Sequence, residues 1–192
     1  MNIHQLSIAY HNDHDRILAQ VNTIAGEELR LWFTRRLMIN FLPHLGRLAI
    51  DAEASSVQLA SHDELAKKTV MEFKKQESIN KSDFKTPFNA KASAYPIGQE
   101  PILVTTIQLT PDGKGALRIG FEEKMAGTSS IQPARGFQIT LTSPLLHGFI
   151  HLLESALKAS QWDIVDSVKP EADPLDAAIE IAKGAKSPTY LN

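Results

Sequence analysis

Cysteine is absent from the 192-residue chain, which excludes disulfides, thiolate metal sites and a cysteine nucleophile and accords with a reducing compartment. No run approaches the roughly 18 apolar residues of a membrane span. The opening MNIHQLSIAY also lacks the basic-then-apolar order of a secretory leader. The sequence therefore predicts a soluble, cytoplasmic protein without membrane association. An excess of one charge is missing too: 20 Lys and Arg stand against 22 Asp and Glu, a net −2, which gives no global basic footprint for nucleic acid. There is no phosphate loop, dinucleotide fingerprint or nucleophile elbow, and Gly113-Lys114-Gly115 lacks the rest of a Walker sequence. Polar residues that a serine or carboxylate mechanism would recruit are scattered, so the sequence predicts no catalytic residues and no cofactor.

What the chain does contain is an echo of itself. Residues 29–45, LRLWFTRRLMINFLPHL, recur in outline 108 positions later as residues 137–153, FQITLTSPLLHGFIHLL. The pairs Thr34/Thr142, Leu37/Leu145, Phe41/Phe149 and Leu45/Leu153 are identical, and Leu29/Phe137, Leu31/Ile139, Phe33/Leu141, Met38/Leu146 and Leu42/Ile150 keep apolar character. Chemistry does not recur: Trp32 faces Thr140, and Arg35 and Arg36 face Ser143 and Pro144. Either duplication or convergence of strands feeding amphipathic helices produces such a pattern. It predicts an α+β fold in which two strand-strand-strand-helix units form one pseudo-symmetric antiparallel sheet with the helices on one face.

The predicted elements follow from period and punctuation. Residues 3–10 and 15–23 read as a hairpin around His11-Asn12-Asp13-His14, and residues 28–33 as a third strand with Leu29, Leu31 and Phe33 on one face. Thr34 is placed to cap the helix whose stripe is Leu37, Phe41, Leu45 and Leu48, with a kink at Pro43. In the second unit, residues 102–109 and 116–122 flank the turn Thr110-Pro111-Asp112-Gly113-Lys114-Gly115. A mobile loop then leads into a strand at residues 137–141 and a helix capped by Ser143 with Pro144 at its first position.

Residues 1–162 are expected to be one domain: repeat one at 1–50, an insertion at 51–100 and repeat two at 101–162. Within the insertion, Ser61-His62-Asp63-Glu64 reads as a capping box for a mostly exposed helix to about residue 77, its apolar positions being Leu65, Val70 and Phe73. Residues 91–95 are a candidate strand, with Pro87, Pro96 and Pro101 favouring loop. Residues 163–192 form an acidic, partly disordered tail with a short helix near 174–182. The tail holds six acids against three lysines, which leaves the rest of the chain at +1. It is either a solvated extension or a competitor with an anionic ligand for a basic surface.

Two histidine pairs have metal-ligand spacing, His147 with His151 and His11 with His14 beside Asp13 and Asp15. The bland readings, a solvated helix face and ordinary turn residues, are preferred, and no metal is predicted. The best functional candidates are Arg16, Arg30, Trp32, Arg35 and Arg36. If Leu29, Leu31 and Phe33 face the core, Arg30 and Trp32 emerge on the other face of the sheet beside Arg16, Gln20 and Asn22. An aromatic among arginines can stack a base while guanidinium groups meet phosphate. It can equally be covered by the tail, the inserted helix or a second subunit. The expectation is thus a non-enzymatic binding or interaction module. Its partner is an unidentified protein or a second copy, with single-stranded DNA or RNA as the alternative and a metal-dependent enzyme as a distant third.

The segment ELRLWFTRRL, with IHQLSIAYHNDHDRILAQVNT before it, resembles a group of uncharacterised bacterial proteins marked by LW-[LF]-TRR. That resemblance covers the first quarter of the chain and implies no activity. In architecture alone, strands followed by a helix, given twice, is similar to the Whirly and Pur-type single-stranded nucleic-acid binders. Those folds use four strands per repeat and a strongly basic surface, so no site residue carries over.

Overall fold

The computed structural model describes residues 2–56, 64–83, 86–89, 92–124, 135–163 and 190–191. Strands β1 (Ile3–His11), β2 (Arg16–Thr23) and β3 (Glu28–Phe33) form an antiparallel meander. Its inward rows are Leu6–Val21–Leu29, Ile8–Ala19–Leu31 and Tyr10–Ile17–Phe33. A short 3₁₀ turn at Asn12–His14 closes the first hairpin, and Asp15 takes the left-handed conformation, φ 47°. Helix α1 (Arg35–Ser56) follows and continues through Pro43. The Thr34 hydroxyl accepts the Leu37 N–H at 3.3 Å, the capping bond expected of it.

After helix α2 (Glu64–Lys81) and an extended stretch, the two-residue strand β4 (Ile102–Leu103) pairs parallel with β3. The chain then bends into a second antiparallel meander, β5 (Thr106–Pro111), β6 (Leu117–Glu123) and β7 (Arg135–Leu141), followed by α3 (Ser143–Ser160). Strand β8 (Tyr190–Leu191) pairs antiparallel with β5. The sheet orders are β1-β2-β3-β4 and β7-β6-β5-β8.

The α+β class and both strand-strand-strand-helix units are present, but they occupy two sheets and not one. A single sheet needs a strand of one unit paired along a strand of the other. Here the β3–β4 pairing lasts only two residues before Val104 and Thr105 carry the chain away, Val104 N–H bonding Trp32 O and Thr105 N–H bonding Glu122 O. The sheets instead share one core. Helix α3 packs mainly along β1, and α1 reaches β5 and β6, so each helix contacts the sheet of the other unit. Phe33 and Phe121 meet at 5.7 Å between ring centroids, and Phe41 and Phe149 are buried with them. Burial of each such side chain stabilises by about 1.5–3 kcal/mol.

Other expectations change. The N-cap of α3 is Thr142, not Ser143, with Pro144 in the first turn; the helix begins one residue sooner, in step with Thr34 and α1. Residues 92–95 form no strand, only a bridge between Ala94 and Glu27. Helix α2 is not organised around Leu65 and Phe73, which are 73% and 69% exposed. It turns Lys75 and Ser78 toward Glu154 and His147 of α3, and polar contacts of that kind leave no apolar periodicity to read. The end of the tail is strand β8, whereas the helix expected near residues 174–182 and the loop expected at 125–134 lie outside the described residues.

Candidate functional site: the outer face of the first sheet

The outward rows of the first sheet are Gln5–Asn22–Glu28, Ser7–Gln20–Arg30 and Ala9–Leu18–Trp32, with His11 opposite Arg16 at the hairpin end. Strand alternation thus puts Arg30 and Trp32 where the sequence predicts, and they have different surroundings. Arg30 is not a free contact residue. Its Nε donates to Glu28 Oε1 at 2.7 Å, its Nη1 donates to Gln99 O at 3.1 Å, and its guanidinium lies 4.8 Å from the Tyr95 ring centre. The hydrogen bond to Glu28 pushes the Arg30 pKa further up. Glu28 is fully buried and also receives Gln20 Nε2 at 2.8 Å.

The cover comes from the second half of the insertion. Residues 86–89 and 92–100 lie across this end of the face as a strap. Asn22 Nδ2 donates to Asn89 O at 2.7 Å, Glu28 N to Ala94 O at 2.9 Å and Ser93 N to Gly26 O at 2.8 Å. Gly26 has φ +79°, and a Cβ there would sit 2.7 Å from Ser93 Oγ, so both the turn and the strap require glycine. Arg135 of the second sheet fastens the far end through Nη2 to Ile97 O at 2.8 Å. The strap has no sequence signal: its anchors on the first sheet are 65 or more residues from their partners, and Arg135 is 38 from Ile97.

The other end of the face is open. Trp32 is half-buried, its ring 5.3 Å from His11 and 5.2 Å from His14, centre to centre. Arg16 stands at the start of β2, and Arg35 and Arg36, both exposed, open α1 directly after β3. Neither Arg16 nor Arg36 has an acidic partner among the described residues. The first turn of α1 holds no acid, so its arginines add to the positive end of the helix dipole. Chain position thus puts Arg16, Trp32, Arg35 and Arg36 at the hairpin corner of the sheet, with Arg35 close enough to Asp15 to lower its carboxyl pKa, while Arg30 is engaged by Glu28 and Gln99.

A clamp that the sequence does not reveal holds this corner. Asp15 Oδ1 accepts the indole N–H of the buried Trp162 at 2.7 Å and the Tyr10 hydroxyl at 2.9 Å, and the Tyr10 and Trp162 rings meet edge-on at 5.7 Å. Those hydrogen bonds, with the Arg35 charge, hold the Asp15 carboxyl below its ordinary range, while the same contact raises the Tyr10 phenol. The first hairpin is thereby tied to the end of α3, 147 residues away.

His147 is not on a solvated face as expected. It is fully buried under α2, with Nδ1 3.1 Å from Ser78 Oγ. No group of three or more metal-ligating side chains occurs among the described residues. A cleft of about 660 Å³ opens between the helices, lined by Leu42, Leu45, Met71, Ile150, Leu153 and Leu157. Glu154 within its lining is paired with Lys75 at 2.8 Å. No described helix is long and apolar enough to cross a membrane. Comparison with family models, with curated proteins and with solved structures gives no match.

Proposed function

We propose that the chain is a non-enzymatic binding module whose contact surface is the open corner of the first sheet and whose partner is anionic. One observation carries this reading: a half-buried Trp32 flanked by His11 and His14 at the hairpin corner of the sheet, where Arg16 opens β2 and Arg35 and Arg36 open α1 directly after β3. An aromatic face with nearby guanidinium groups suits a base or planar group next to a phosphate or carboxylate. The chain as a whole has a net charge of −2, so attraction rests on this patch and not on the overall field. Single-stranded nucleic acid is the form of anionic partner that such a patch accommodates with the fewest further requirements.

Fluorescence titration with an oligothymidylate tests it. In a Trp162→Phe background the remaining indole is Trp32, whose emission should be quenched on binding. Affinity should fall as salt rises, and Arg16→Ala or Arg35→Ala should each flatten the log–log salt slope by about 1. No binding at low salt, or binding indifferent to Trp32→Ala, would sink the proposal. Arg30→Ala serves as the contrast, since its side chain is engaged by Glu28 and the strap.

A further inference from the structure

We propose that the outer edge of β1 is a docking site for an extended, partly apolar peptide segment of a partner protein, which adds as an antiparallel strand opposite Leu6 and Ser7. Strand β1 is nine residues long and ends its sheet, and among the described residues no backbone hydrogen bond reaches its far edge. A terminal strand of that length presents a row of unpaired N–H and C=O groups. Here part of the row lies along a groove of about 490 Å³. Six consecutive residues, 3–8, line it, about 17 Å of strand at 3.4 Å per residue. Both faces of β1 contribute, so the groove follows the edge. Pro144, Leu145, Gly148 and Leu152 of α3 also line it, as do Thr86 and Phe88 of a stretch held to Gln5, whose Oε1 accepts the Asn89 N–H at 3.0 Å.

The second unit indicates the occupant. By register, the row Ile107–Phe121–Phe137 takes the place of Leu6–Val21–Leu29, and Gln108–Gly120–Gln138 that of Ser7–Gln20–Arg30. At that place in the second sheet the edge is filled: Leu191 lies opposite Ile107 and Tyr190 opposite Gln108, antiparallel, as β8. Among the described residues the chain supplies its own strand to β5 and none to β1. What fits β1 is therefore the same kind of object, a short extended segment held by main-chain bonds, with an apolar side chain toward Leu145 and Leu152. The groove lining carries one carboxylate, Asp83, which Thr86 engages through its N–H and hydroxyl, so selection rests on main-chain pairing and on the apolar residues of α3.

Hydrogen exchange on the full chain tests this, with the acetylated, amidated peptide Lys-Val-Thr-Val-Thr-Leu-Lys as probe. Saturating peptide should slow exchange at least tenfold at the β1 amides that face away from β2. The same peptide with alternate amides N-methylated should not bind. Gly148→Leu should weaken binding tenfold or more by filling the groove. A Cβ at Gly148 meets nothing within 4 Å, so the variant has room to fold. Gly46→Leu has equal room but lines the interhelical cleft, and it should bind as the parent does. Three results overturn the proposal: no slowing up to millimolar peptide, equal binding of the N-methylated peptide, or slowing at β1 that rises with protein concentration alone. The last would make a second copy the occupant.

Discussion

The two strand meanders share a core plan and diverge on their outer faces. Inside, row matches row: Ile8–Ala19–Leu31 stands where the second sheet has Leu109–Ile119–Ile139, and Tyr10–Ile17–Phe33 where it has Pro111–Leu117–Leu141. Outside, Gln5–Asn22–Glu28 corresponds to Thr106–Glu122–Gly136, and Ala9–Leu18–Trp32 to Thr110–Arg118–Thr140. The first sheet uses its outer face to bury a carboxylate, anchor a strap and present an aromatic corner. Among its described residues the second has no equivalent of that buried ion pair or that corner. A shared core constrains the inward rows alone, so the outward rows are free to differ.

The sharpest way to break the comparison is at Arg30 and its counterpart Gln138. Arg30→Ala leaves the buried Glu28 carboxylate with Gln20 as its remaining side-chain partner and also removes the bond that holds the strap at Gln99 O. Removing one member of a buried ion pair costs about 3–5 kcal/mol. Gln138 is exposed, and Gln138→Ala should change stability by no more than about 0.5 kcal/mol. Urea unfolding of the two variants measures the difference, and equal effects would mean that the strap and the ion pair are incidental.

Glu28 and Gly136 make the next contrast. A Cβ at Gly136 would run into the Phe121 carbonyl oxygen, with Glu122 Cα 3.1 Å away, so the backbones of β6 and β7 approach more closely than a side chain permits. Gly136→Ala should therefore destabilise by about 1–3 kcal/mol through forced backbone movement. A neutral result in thermal or urea unfolding would show that β7 can shift outward at no cost.

These contrasts also show how far the sequence can be read. Alternation in β3 and the helix stripe Leu37, Phe41, Leu45 and Leu48 are local, and the structure buries those residues as expected. Thr34 caps its helix for the same reason. The Asp15–Trp162 and Asn22–Asn89 contacts join residues 147 and 67 positions apart, and no local pattern encodes such pairings. The candidate site was half legible. Facing of Arg30 and Trp32 follows from strand period, but which of the two stays open depends on a strap whose anchors are mostly main-chain atoms. Glu28 at two residues from Arg30 on one strand face was the one available sign of a buried pair.

A smaller effect separates the two helix caps. Thr34 Oγ accepts the Leu37 N–H, whereas Thr142 makes no side-chain capping bond. Thr34→Ala should cost about 1 kcal/mol. Thr142→Ala should cost less, because only a preference for extended backbone at that position is lost. Equal losses in urea unfolding would show that the two caps act alike in solution.

The smallest effect is a pH dependence that distinguishes the two hairpin turns. Asp15 and Asp112 both have carboxyl pKa values below the ordinary range, the first through hydrogen bonds from Trp162 and Tyr10, the second through the backbone N–H groups of Lys114 and Ala116. A carboxyl whose folded pKa is lowered contributes stability that is complete above its unfolded value, about 3.9, and is lost as pH falls through the folded value. Asp15→Asn and Asp112→Asn should each therefore flatten the acid limb of stability below about pH 4. Both groups are exposed, so solvent screening keeps each contribution small. The readouts differ in location. Protonating Asp15 weakens its hold on the Trp162 indole and loosens the tie between the first hairpin and α3, so Trp162 emission, isolated by Trp32→Phe, should shift to the red before global unfolding. Asp112 holds only its own turn, and Asp112→Asn should leave that shift in place, while Asp15→Asn should abolish its pH dependence. A shift that survives in Asp15→Asn would place the acid-sensitive contact elsewhere in the chain.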